Sequence, residues 1–137
     1  MSKIKALLKA NVKVTGYVDY VVSERFIDEE TGKPLIFKLK SISAAEDAAI
    51  RNKHYSTDAN TGITSFNSST YTLELAAASI VEPNLGTAEL QDDYGVKSAA
   101  DLLGVMLKAG EFTRLGNEIQ RINGFTEKKR VDEIKNS

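Results

Sequence analysis

Residues 12–53 read VKVTGYVDYVVSERFIDEETGKPLIFKLKSISAAEDAAIRNK, and the spacing of their apolar residues changes partway along. In the first part apolar and polar side chains alternate through Val12, Val14, Tyr17 or Val18, Tyr20 and Val22. β-branched and aromatic residues at period two predict a half-buried strand. EETGKP at 29–34 is a turn signal, with Gly32 free to take positive φ and Pro34 fixing the exit. LIFKLKSI then sets Leu35, Phe37 and Leu39 on one face and Lys38 and Lys40 on the other. Two strands about a turn predict an antiparallel hairpin. Such a hairpin is marginal alone in water, so a third strand or helices must cover its apolar face. Ser43 and Glu46 have the capping-box spacing, which predicts a helix over 44–53.

Working outward from that stretch, the chain turns helical. YTLELAAASIV at 71–81 is apolar almost all round, with Glu74 its one charge, and predicts a buried helix stopped by Pro83. Thr87 is placed to cap a short helix AELQDDY, and Gly95 stands at its far end. Ser98 with Asp101 opens AADLLGVMLK, and Gly110 is expected to close it. EFTRLGNEIQRING carries Phe112, Leu115, Ile119 and Ile122 as a narrow amphipathic stripe, with Gly124 ending the helix and Phe125 folding back. On the N-terminal side, Ile4, Leu7 and Leu8 have helical spacing in SKIKALLKAN. Residues 54–70, HYSTDANTGITSFNSST, lose periodicity and read as a loop or a fraying helix extension. The expected fold is α+β: one domain over 1–125, an N-terminal antiparallel hairpin at about 12–42 packed against four or five helices at about 44–125. A charged tail at 126–137 follows.

The totals exclude several functions. A chain of 137 residues can bury a real core without staples. With no cysteine there is no disulfide, thiolate catalysis or thiolate metal site. No apolar run reaches the roughly 20 residues of a membrane helix, and Lys5 and Lys9 break the signal-like start, so a cytoplasmic protein is expected. Net charge is −1 but unevenly spread. Residues 1–40 hold eight bases and five acids, 54–107 hold Lys97 against seven acids, and 108–137 hold seven bases and five acids. An acidic middle between basic ends argues against nucleic acid and is compatible with head-to-tail self-contact.

No catalytic pattern stands out. His54 is the only histidine, so no histidine triad or multi-histidine metal site can form. TDANTG at 57–62 resembles a calcium loop only in part: Gly62 is one position early and Ser69 stands where the bidentate Glu belongs. NSS at 67–69 matches a glycosylation acceptor by chance. Glu89, Asp92 and Asp93 splay across a short helix and read as a solvated patch. No catalytic, cofactor or metal residue is assigned. Apolar helix surface is the better lead: the helices pack on one another, or one face awaits a partner or another copy.

Three stretches in order, S-E-R-F through the hairpin, P-N-L at 83–85, and L-Q-D-x-Y-G-V running on to I-N-G-F, resemble the XkdN-like tail assembly chaperones of PBSX-type phages and prophages. The resemblance covers about residues 4–53 and 71–125. It implies a non-enzymatic role in long-tail morphogenesis, with the tape-measure protein and tail-tube subunits as partners, in the host cytoplasm and absent from the finished virion. The alternative is a structural minor tail or head–tail connector protein. Tyr94, Phe112, Leu115, Ile119 and Ile122 are the expected protein-binding residues. In this functional class a frameshift often appends a second domain, and Lys128–Lys129 offers a slippery run of adenines.

Overall fold

A computed structural model describes residues 3–13 and 16–125. The expected strand residue Val14 and the charged tail from 126 onward, with its frameshift site, lie outside the described residues. The chain opens with a short helix α1 (Lys3–Leu7) and a 3-10 turn. The predicted hairpin follows as β1 (Val18–Tyr20) and β2 (Phe37–Leu39), antiparallel, with Val18 opposite Leu39 and Tyr20 opposite Phe37. That register resolves the choice between Tyr17 and Val18: Val18 and Tyr20 pack on the core, while Tyr17 is exposed. Phe37 and Leu39 are fully buried, and Lys38 between them points outward to Asp19.

Among the described residues, five helices follow the hairpin. Ser43 caps α2 (Ala44–Asn52): its hydroxyl accepts from the Glu46 amide at 3.1 Å, and the Ser43 amide donates to the Glu46 carboxylate at 3.4 Å. Thr87 caps α4 (Ala88–Asp93) and Ser98 caps α5 (Ala99–Met106), as expected. α4 and α6 (Ala109–Ile122) end alike. Gly95 (φ 68°) and Gly124 (φ 81°) turn left-handed, and the next amide returns to a free carbonyl: Val96 to Gln91 and Phe125 to Gln120, both 3.0 Å.

Three expectations need correction. Residues 54–70 are neither loop nor fraying helix but a second hairpin, β3 (Tyr55–Thr57) and β4 (Thr64–Phe66), followed by the N-terminus of α3 (Ser68–Ser79), which Asn67 caps. The predicted helix over 71–81 begins earlier and stops at Ser79. Ile80–Glu82 form β5, an antiparallel third strand on the open edge of β2. The β-branched pair Ile80 and Val81 suits that edge, and β5 supplies the cover the first hairpin required. Gly110 does not close α5. Leu107 ends it, and Lys108 starts α6, its amide donating to Glu111 at 2.8 Å, so Gly110 lies inside the first turn of α6.

The core sits where the sheet meets α3, α5 and α6. Phe37, Leu39, Leu75, Leu102, Leu103, Leu115 and Ile119 are its fully buried large apolar side chains. Each contributes about 1.5–3 kcal/mol of transfer free energy. α3 is central, packing on α2, α5 and α6, which explains its lack of a polar face. Its one charge, Glu74, lies at the margin and is matched by Lys53 (2.8 Å) and His54 (3.0 Å).

Candidate functional site

The polar clusters are structural. His54 sits between Thr70 (2.8 Å from Nδ1) and Glu74 (3.0 Å from Nε2), joining the start of β3 to α3. Burial acts upward on the Glu74 carboxyl, but the hydrogen bonds from Lys53 and His54 outweigh it and lower its pKa. Beside it, Tyr71 donates to Asp47, and Arg51 lies over the Tyr71 ring at 4.4 Å. Burial first, and the Asp47 bond second, push the Tyr71 hydroxyl up to about 12. Every group in this network has a partner, so it fastens α2 to α3. Asp58, the would-be calcium ligand, shapes the turn between β3 and β4 by accepting from the Asn60 amide at 2.8 Å. Among the described residues no group of three or more acids and histidines is placed to hold a metal.

A second polar cluster joins the N-terminal half to α6. Arg25 forks onto Glu111 at 2.5 and 3.1 Å and donates to the Met106 carbonyl at 3.1 Å. Hydrogen bonds from Arg25, then from Ser23 and the Lys108 amide, hold the Glu111 carboxyl at about 2. Glu111 is therefore an anchored carboxylate and unsuited to proton transfer near neutral pH.

One concavity is mainly apolar. It lies between the N-terminal half of α3, the C-terminal half of α5 and the first turns of α6, with a volume of about 600 Å³. Leu73, Leu103, Leu107 and Phe112 supply its apolar wall, and none of its lining residues is charged. Beyond Leu73 and Gly104 lies a second hollow of about 490 Å³, lined also by Gly95, Lys97, Asp101 and the exposed Val105. Gly104 forms the saddle between the two. A Cβ there would meet only the Leu73 methyls, at 3.7 and 3.8 Å. The arrangement is a long groove over α3, the shape that accepts the apolar face of a helix.

The expected binding residues divide. Phe112 lines the groove, half-buried. Tyr94 closes α4 and is 41% exposed. Ile122 is half-buried against the core. Leu115 and Ile119, at 0% and 1%, lie inside the monomer and support α6 from beneath. The amphipathic stripe lies on the helix whose first turns border the groove. It could not identify Leu73, Gly104 and Leu107, because their role depends on how α3 and α5 cross.

A family model described as phage XkdN-like tail assembly chaperone protein matches residues 4–135, almost the whole chain. The crystal structure of the protein yqbn aligns with a TM-score of 0.75 at 20% identity, covering 91% of this chain and 98% of that one, so the two share a fold. A comparison with curated proteins finds no match. No helix among the described residues is long and apolar enough to cross a membrane.

Proposed function

The chain belongs to the phage XkdN-like tail assembly chaperones, and from that premise we propose that it binds the tape-measure protein and helps recruit tail-tube subunits, with no bond made or broken. It does so in the host cytoplasm and leaves before the virion is complete. One observation carries this reading: an apolar groove over α3, bordered by α5 and α6, whose first hollow has no charged lining residue. A tape-measure protein is a long helical rod whose apolar stripe needs cover until the tube closes around it. A groove of this shape receives such a stripe through side chains spaced three and four apart. Phe112 from α6 forms one wall, and Tyr94 and Ile122 are proposed as further contacts outside the groove lining.

Co-expression with a tape-measure fragment tests the proposal. The fragment is expected to become soluble and to co-purify with the chain, and Phe112→Ala to weaken that effect. A fragment whose solubility does not change would overturn the reading. Recovery of the chain as a stoichiometric part of purified particles would instead favour a structural tail or connector protein.

A further inference from the structure

The two hollows of the groove differ in charge. The first, around Leu103, Leu107 and Phe112, has no charged lining residue. The second is lined by Leu73, Val96 and Val105 together with one base, Lys97, and one acid, Asp101. Both of these residues are exposed. They stand four positions apart in the chain, yet they form no ion pair with each other or with any other described residue. Ser98, between them, caps α5 through the Asp101 amide, which leaves the Asp101 carboxylate free of that cap. One end of the groove therefore carries two opposite, unpaired charges, and the other end carries none.

α5 links the two ends. Asp101 lies in its first turn, Gly104 forms the saddle, and Leu107 follows its last residue. At about 1.5 Å per residue, Asp101 and Leu107 are separated by about 9 Å along the axis. That distance is close to the spacing of positions i and i+7 on one face of a helix lying along α5. We propose that Lys97 and Asp101 are the specificity-determining residues of the groove. They select a helix whose apolar stripe is followed, about two turns on, by an acid and a base, and they fix its register.

This selection presupposes the groove's role as the seat of a tape-measure helix. A long rod with a continuous apolar stripe offers many seats of equal apolar burial, so burial alone chooses none of them. Shifted or reversed, the helix sets its acid and base against Leu103, Leu107 and Phe112, where both lose water and gain no partner. The same misplacement covers Lys97 and Asp101 with apolar side chains. In the correct seat each charge meets its opposite. Apolar contact then supplies most of the affinity, and the two charges supply the choice among seats.

The test is fluorescence anisotropy with the full chain and a dye-labelled peptide from the tape-measure segment that co-expression shows it to solubilise. The peptide is made in its natural form and in a form whose acid and base are exchanged. Each form is titrated with wild type and with Lys97→Glu/Asp101→Lys, whose fold circular dichroism verifies. Natural peptide with wild type, and exchanged peptide with the exchanged chain, are expected to bind about threefold to tenfold more tightly than the two crossed pairings at about 50 mM salt. The gap is expected to close near about 500 mM. Phe112→Ala, acting through apolar contact, is expected to weaken both peptides alike. Equal affinity in all four pairings, with Phe112→Ala still weakening them, would overturn the charge selection and leave the groove as the seat. Affinities unchanged by Phe112→Ala as well would overturn the groove reading itself. A variant weakened toward both peptides, with no recovery in the matched pairing, would also overturn the proposal, as would a solubilised segment with no acid and base beyond its stripe.

Discussion

The apolar residues of α1 and α6 end in opposite environments. In α6, Leu115 and Ile119 are sealed against the sheet and α3. At the end of α1, Leu7 is 74% exposed and the following Leu8 50%. α6 runs from Ala109 to Ile122 and is fastened at both ends, by Glu111 to Arg25 and by Asn123 to Ser79 and Ile42. α1 has five residues, and Asn11 from the turn that follows it donates to the Lys5 carbonyl at 2.9 Å. A helical stripe therefore announces a buried face without saying whose surface buries it. In a chain whose family assembles other proteins, that distinction separates scaffold from contact.

The strongest way to break the comparison is to truncate both stripes. Leu115→Ala should destabilise the monomer by about 2–5 kcal/mol, through lost transfer free energy and the cavity left behind. Chemical denaturation at low protein concentration measures it. A loss below about 1 kcal/mol would mean that the α6 face is not core in solution.

Much of this architecture was legible because its signals are local. Ser43 with Glu46, Thr87, and Ser98 with Asp101 cap helices through side chains that sit beside the amides they satisfy. The second hairpin was missed because Ser56, Thr57, Thr64 and Ser65 face solvent and leave no apolar alternation. One signal was available. The turns of the two hairpins repeat D-x-x-T-G, at Asp28–Gly32 and at Asp58–Gly62. In both, the aspartate side chain accepts from the amide two residues on and the threonine hydroxyl does the same. Both glycines take positive φ, 68° and 71°. The switch from helix to strand at Ile80 had no local signal, since an apolar run suits either state and the choice falls to the unpaired edge of β2. The groove was least visible, being made by the crossing of α3, α5 and α6.

The fastenings of α6 sharpen the comparison further. Asn123 accepts from the Ile42 amide at 2.8 Å and donates to Ser79 at 3.2 Å and to the Ile119 carbonyl at 2.9 Å. Asn123→Ala leaves those groups unpaired and should cost about 1–3 kcal/mol. Recovery of wild-type stability in the alanine variant would show that water replaces the amide without loss.

At the other end of α6 the effect depends on pH. Glu111 titrates at about 2 in the fold, against about 4.3 for an unperturbed glutamate. Its folded value is depressed, so its contribution is complete above about pH 4.3 and fades as pH falls toward 2. Arg25→Gln should therefore lower the denaturation midpoint at pH 7 and differ less from wild type near pH 2. A difference that stays constant across that range would remove the ion pair as its cause. Ser43→Ala, away from α6, should cost about 1 kcal/mol through the lost cap of α2.

The smallest effect on the monomer is the most informative. Leu7→Ala with Leu8→Ala should change stability by less than about 0.5 kcal/mol in dilute solution, because both side chains are largely exposed in the folded monomer. Chemically the change matches Leu115→Ala, so the gap between them measures what covers each stripe. The same pair also tests whether another copy covers this surface as protein concentration rises. If its face only hangs in solvent, wild type and variant should keep equal midpoints at every protein concentration. If a second copy covers it, the wild-type midpoint should climb with concentration by mass action while that of the variant stays level. Parallel midpoints across a hundredfold range of about 1–100 μM would leave α1 as surface alone.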